Sequence, residues 1–199
     1  MASRVLGAVM TGGRSRRFGR NKALAEFGGR TVIERVVEAL APAVERIVLV
    51  GNDPEPYRFL ELPIHFDLLP DGGALGGIYT AVAAGLGRAV VVASCDLPLV
   101  TAPLFERLAG LAGSADAVVP RGSTGLQPLC AAYGPACLPA IEERLKLGQL
   151  KVAGFFSAVK VRYLTAEELA QVGNEEVLFF NINTPEEYQR ALELAGLGS

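Results

Sequence analysis

The chain has 199 residues, 50% of them hydrophobic and 20% charged, which suits an ordered globular protein with enough apolar material for a two- or three-layer core. Its formal net charge of −2 excludes a global basic field of the kind that draws nucleic acid to a surface, so any basic site must be local. The longest apolar runs, such as 89–93, fall far short of the roughly 20 residues that a helical bilayer crossing needs.

The first predicted element is a buried strand over 4–10, a short apolar run stopped abruptly by Thr11-Gly12-Gly13. A polar loop follows that holds the chain's one cluster of cations, Arg14, Arg16, Arg17, Arg20 and Lys22. Thr31 then reads as an N-cap, with Glu34 three residues on to complete a capping box, and Val32, Val36, Val37 and Leu40 form the helix's apolar stripe. A β-branched strand over 46–50 ends in the turn Gly51-Asn52-Asp53-Pro54, and a short helix over 56–60 leads to a weak strand over 63–66. A helix over 76–86, a buried strand over 89–93, a helix over 104–111 and a strand over 115–120 continue the alternation. A further strand over 126–133, a helix over 136–146, an edge or extra strand over 157–164 and a short helix capped by Thr165 come next. The chain closes with a strand over 178–183 and a helix started by Thr184 at the N-cap and Pro185 at its first position.

Strands alternating with helices predict one α/β domain over 1–199: a three-layer, doubly wound, mostly parallel sheet of the Rossmann-like type with an antiparallel edge strand. Cys95, Cys130 and Cys137 are odd in number, widely spaced and accompanied by no secretory pattern, so reduced thiols and a cytoplasmic location are expected. No strip of exposed apolar residues stands out, and a monomer or weak oligomer is the expectation.

Ligands of such sheets bind beyond the carboxyl ends of the strands, near the switch in strand order. Four segments fall there. The first is the loop 11–22, where glycines permit close backbone approach to an anion and Arg17 and Lys22 offer charge-assisted hydrogen bonds. It has neither Walker A nor dinucleotide spacing, and a solvated loop is the alternative. The second is Cys95-Asp96-Leu97-Pro98, where an apolar strand delivers one carboxylate suited to Mg²⁺; a turn or capping role for Asp96 is the alternative. The third is Asn181-Ile182-Asn183, whose alternation in a strand points both amides the same way, toward a metal or phosphate, against a plain turn-and-cap role. The fourth is the glycine-rich stretch 71–77, which suits an anion at a helix start or a flexible loop. His65, the single histidine, reads as structural, and without a partner it excludes a Ser/His/Asp or Cys/His arrangement.

Taken in order, these segments resemble the molybdenum cofactor guanylyltransferases, members of the nucleotidylyltransferase superfamily. The likeness is carried by Met10-Thr-Gly-Gly13, Arg17-Phe-Gly19, Asn21-Lys22, Gly73-Ala-Leu-Gly-Gly77, Cys95-Asp-Leu-Pro98, Gln127-Pro-Leu129 with Tyr133, and the ending from Asn181 to Glu186. Thr11, Phe18 and Asn21 depart from the Ala, Met and Asp of that pattern. The resemblance implies that residues from Leu6 to Gly13, including Gly12, together with Asn52 and Asp67, surround the guanine and ribose of GTP. It implies further that Arg17 and Lys22 hold the triphosphate, that Asp96 binds Mg²⁺ with Asn183, and that Gln127, Pro128 and Lys151 face a molybdopterin-type acceptor. The implied reaction moves GMP from Mg-GTP to that acceptor and releases pyrophosphate, with Arg17, Lys22 and Asp96 as its catalytic groups. A cytidylyltransferase or sugar-phosphate nucleotidylyltransferase is the neighbouring alternative, and a non-catalytic nucleotide-binding module the alternative of another class. The enzyme reading requires Lys22 and Asp96 to meet at one cleft.

Overall fold

The computed structural model describes residues 5–12, 21–69 and 71–197. Among them the chain runs β1 (Leu6–Met10), α1 (Val32–Leu40), β2 (Arg46–Val50), β3 (Ile64–His65), α2 (Gly73–Ala84), β4 (Val90–Ser94), α3 (Ala102–Leu111), β5 (Ala117–Gly122), β6 (Gly125–Leu126), β7 (Cys130–Tyr133), α4 (Cys137–Lys146), β8 (Val161–Leu164), α5 (Ala166–Ala170), α6 (Glu175–Leu178) and α7 (Pro185–Leu194). Short 3₁₀ segments cover Lys22–Leu24, Ala41–Ala43, Glu55–Leu60 and Val152–Ala158.

The strands form one sheet in the order β3-β2-β1-β4-β7-β5-β6, with β8 also pairing with β5. β1 pairs in parallel with β2 and β4, β2 with β3, and β5 with β8. The expected doubly wound class is therefore present. Antiparallel pairing occurs at the short edge strand β6 and also inside the sheet, where β7 runs against both β4 and β5.

Every residue of β1 is buried, as a strand covered on both faces requires. One apolar cluster joins Val9, Val91 and Ala93 to Val36, Leu40, Leu104 and Leu108 of α1 and α3. The other joins Leu6, Ala8, Val90 and Val92 to Leu75, Ile78, Cys137 and Ile141 of α2 and α4. These are the two helical layers, one against each face. Thr31, Thr165 and Thr184 each form a full capping box with the glutamate three residues on, so the predicted helix starts are found at those positions.

Two expected elements differ. The run 126–133 is not one strand: Pro128 brings no N–H, Cys130 N–H closes a turn onto Gln127 O at 3.1 Å, and β6 and β7 separate there. The closing strand over 178–183 is absent. Asn174 caps α6 by accepting from Glu176 N–H, the helix takes Leu178, and 179–184 then crosses to β4 through one backbone bond, Ile182 N–H to Asp96 O at 3.1 Å. No helix among the described residues is long and apolar enough to cross a membrane.

Candidate active site

The chain steps from β1 outward to β2 and β3, then returns to place β4 on the other side of β1. The order thus switches between β1 and β4, and a crevice opens at their carboxyl ends. Thr11 and Gly12 leave β1 there, Cys95 and Asp96 leave β4, and Cys95 N–H still donates to Met10 O at 3.2 Å. Backbone pairing alone therefore brings the first and second predicted segments side by side.

Lys22 lies 74 positions from Asp96, yet its Nζ is 2.5 Å from Asp96 Oδ2. The same Nζ donates to Asn183 Oδ1 at 2.8 Å. The two charged side chains are only 17% and 14% exposed, so water screens their attraction weakly. Two local devices hold the arrangement. Asn21 caps the turn Lys22–Leu24 by accepting from Ala23 N–H, while its amide donates to the buried Tyr57 hydroxyl at 2.9 Å. Ser94 donates its hydroxyl to Asp96 Oδ1 and fixes the carboxylate plane. Asp96 caps no helix: Thr101 precedes α3.

Asn181 and Asn183 do not act as a pair. With no strand to alternate, Asn181 turns its amide to Phe179 O at 3.4 Å, and only Asn183 faces Lys22.

On the other side of β1, Asn52 donates to Asp67 Oδ2 at 2.8 Å and its Oδ1 accepts from Asp67 N–H at 3.0 Å. The loop carrying Asp67 is fastened to α2 by the buried Thr80, whose hydroxyl accepts from Leu68 N–H and donates to Gly76 O, both at 3.0 Å. α2 begins at Gly73, earlier than the pattern predicts, and presses its first turn against the end of β1. A Cβ on Gly77 would fall 2.2 Å from Met10 Cε, so any side chain there would have to displace the flexible end of Met10.

Leu6 corrects the sequence expectation. It pairs with Arg46 and Val90, the first residues of β2 and β4, and is 2% exposed in the core. Four residue steps along the strand separate it from Met10, roughly 13 Å, so it stands at the sheet end opposite the crevice. Met10 occupies the position at the crevice instead. Gly13 and Arg17 lie outside the described residues.

The residues expected on the acceptor side reach the same edge by a different route. Because β7 runs against β4, with Cys130 opposite Ala93, the turn Gln127-Pro128-Leu129 lies at β4's carboxyl end. Gln127 Nε2 donates to Thr124 Oγ1 at 3.2 Å, and Pro128 O accepts from Tyr133 OH at 2.7 Å. α4 returns to this edge, where Leu145 packs within 3.0 Å of the Cβ position of Gly72, and Lys151 follows as an exposed residue. Arg121, at the end of β5, stacks its guanidinium 3.8 Å over the Tyr163 ring. The sequence reading missed Ser94, Thr80 and Arg121; a hydroxyl two residues before a strand-end aspartate was the one available signal.

A doubly wound sheet whose switch crevice carries a lysine–aspartate–asparagine cluster defines the class of nucleotide-handling α/β proteins. The description "MobA-like NTP transferase domain" matches residues 7–161. A probable molybdenum cofactor guanylyltransferase of Pelotomaculum thermopropionicum is 36% identical over 95% of this chain and 92% of its own. The molybdenum cofactor guanylyltransferase of Desulfosudis oleivorans is 33% identical over 94% of each chain. The crystal structure of molybdopterin-guanine dinucleotide biosynthesis protein A from Archaeoglobus fulgidus superposes with a TM-score of 0.83 at 30% identity, covering 96% of this chain and 99% of that one. The chain belongs to this family, the MobA-like NTP transferases with the molybdenum cofactor guanylyltransferases, and is a nucleotidyltransferase.

Proposed function

We propose that this protein transfers GMP from Mg-bound GTP to a molybdopterin-type acceptor and releases pyrophosphate. The observation that carries the reading is the meeting of Lys22, Asp96 and Asn183 at the β1/β4 crevice. The attacking group is an anionic phosphate oxygen of the acceptor, so no protein nucleophile is needed. Catalysis then consists of positioning and of neutralising charge on the leaving pyrophosphate.

The residues fit a divalent cation. Asp96 Oδ2 and Asn183 Oδ1 are hard oxygen donors, and the Lys22 ammonium that both receive is a stand-in positive charge. Among the described residues no group of three or more His, Cys, Asp or Glu side chains could hold a metal alone. One carboxylate oxygen and one amide oxygen suit Mg²⁺, which takes one or two protein carboxylates and completes its shell with phosphates and water. When bound, the ion would polarise the α-phosphate. Lys22, with Arg17 five positions before it in the sequence, draws charge toward the departing pyrophosphate, while Ser94 keeps the Asp96 carboxylate oriented.

Asp67, held by Asn52 beside the end of β1, offers carboxylate oxygens suited to the N–H donors of guanine or the ribose hydroxyls. Gly12 leaves the backbone open to the nucleotide. Gln127, Pro128 and Lys151 line the acceptor half of the edge, and Arg121 adds a cation for an anionic acceptor.

The test is pyrophosphate release from GTP, CTP, UTP and ATP, each with Mg²⁺ and molybdopterin. Release that is fastest with GTP and needs the acceptor supports the reading. Preference for CTP overturns the base, and no release with any nucleotide overturns the transfer.

A further inference from the structure

The donors that suit a divalent cation already share a partner. Asp96 Oδ1 accepts from the Ser94 hydroxyl, and Asp96 Oδ2 receives the Lys22 ammonium at 2.5 Å. Asn183 Oδ1, the second donor, receives the same ammonium at 2.8 Å. One cation therefore spans both oxygens.

We infer that the Lys22 ammonium and a divalent cation compete for Asp96 Oδ2 and Asn183 Oδ1, so that this protein takes its metal together with a triphosphate and only weakly alone. The inference rests on the nucleotidyl-transfer reading above. Mg²⁺ binds a carboxylate oxygen at about 2.0–2.1 Å. It would lie within a few ångströms of an ammonium on the same oxygen, and at this burial the repulsion is poorly screened. The ammonium must leave.

What moves is the side chain. Asn21 ties the backbone before Lys22 to Tyr57 and to the turn it caps, so the base of the lysine stays in place. Its four-carbon stem can still carry the ammonium to a new partner. Triphosphate oxygens are such a partner; water replaces the lost carboxylate poorly. A metal arriving alone displaces the ammonium without compensation, while a metal arriving with a triphosphate lets it exchange one anion for another. By linkage the metal strengthens triphosphate binding by the same factor.

The test is Mn²⁺ binding, read from the electron paramagnetic resonance signal of the free ion. It is run on the intact protein alone and with a non-hydrolysable GTP analogue, against the analogue without protein. Lys22→Met keeps the stem and removes the charge; it is expected to bind Mn²⁺ alone at least ~10-fold more tightly than the unaltered protein, within the usual range of coupling factors. Lys22→Ala, judged folded by near-ultraviolet circular dichroism, should do the same, and Asp96→Asn should lose the site in both conditions. Unchanged or weaker Mn²⁺ binding by the folded lysine variants overturns the inference without bearing on the nucleotidyl-transfer reading. Failure of the unaltered protein to take Mn²⁺ even with the analogue overturns the reading beneath it instead.

Discussion

The two halves of the crevice differ in how their charges are held. On the half proposed for the nucleotide, Lys22, Asp96, Asn183 and Ser94 are joined by hydrogen bonds within one small cluster, Asn21 fixes the turn that carries Lys22, and the ion pair is largely buried. On the half proposed for the acceptor, the Gln127 side chain donates to Thr124 in its own hairpin, Lys151 is exposed, and Arg121 rests on an aromatic face. Among the described residues neither Arg121 nor Lys151 stands in an ion pair. The contrast teaches where the fold invests rigidity. Groups that must stabilise developing charge are preorganised, because reorganising them during reaction would raise the barrier. On the proposed function, groups that receive an anionic acceptor would keep their charge free for it.

The largest expected effects break the first half. Asp96→Ala and Lys22→Ala should each lower kcat by at least ~10²-fold, the scale of losing one electrostatic group, measured as pyrophosphate release at saturating substrates. Near-normal turnover in both would erase the distinction between the halves. Leu6→Ala tests the far end of the sheet. It should cost about 2–5 kcal/mol of stability, seen in denaturant unfolding, with KM for GTP unchanged. A raised KM for GTP would return Leu6 to the site.

Lys151→Ala sharpens the second half. Loss of one charge-assisted contact, about 1.5–3 kcal/mol, should raise KM for the acceptor ~10-fold or more and leave KM for GTP alone. Equal changes in both would deny a separate acceptor half.

A separate effect, on stability alone, concerns the thiols at the seam, Cys95 beside Asp96 and Cys130 beside the 127–129 turn. Burial pushes both up to about 12, against about 8.5 in an unfolded chain. Between those values the folded protein keeps protons that the unfolded chain releases. Their contribution is thus full below about pH 8.5 and is lost as pH rises, by about 1.4 kcal/mol per pH unit for each thiol. The unfolding midpoint should fall from pH 8.5 to 10.5, and Cys130→Ala should flatten the fall. An unaltered slope in that variant would remove the thiol as its cause.

Residue order alone determined the alternation of strands and helices, the N-caps at Thr31, Thr165 and Thr184, and the nomination of Lys22, Asp96 and Asn183. These depend on local chemistry: apolar period, the reach of a hydroxyl to a nearby N–H, and turn residues after a strand. Which of the two asparagines faces the lysine, that Leu6 lies at the wrong end, and that Ser94, Thr80 and Arg121 support the crevice were decided only by the tertiary structure. Each depends on strand register and on contacts between positions far apart in the chain, such as Lys22 with Asn183, 161 residues away, which no local pattern encodes.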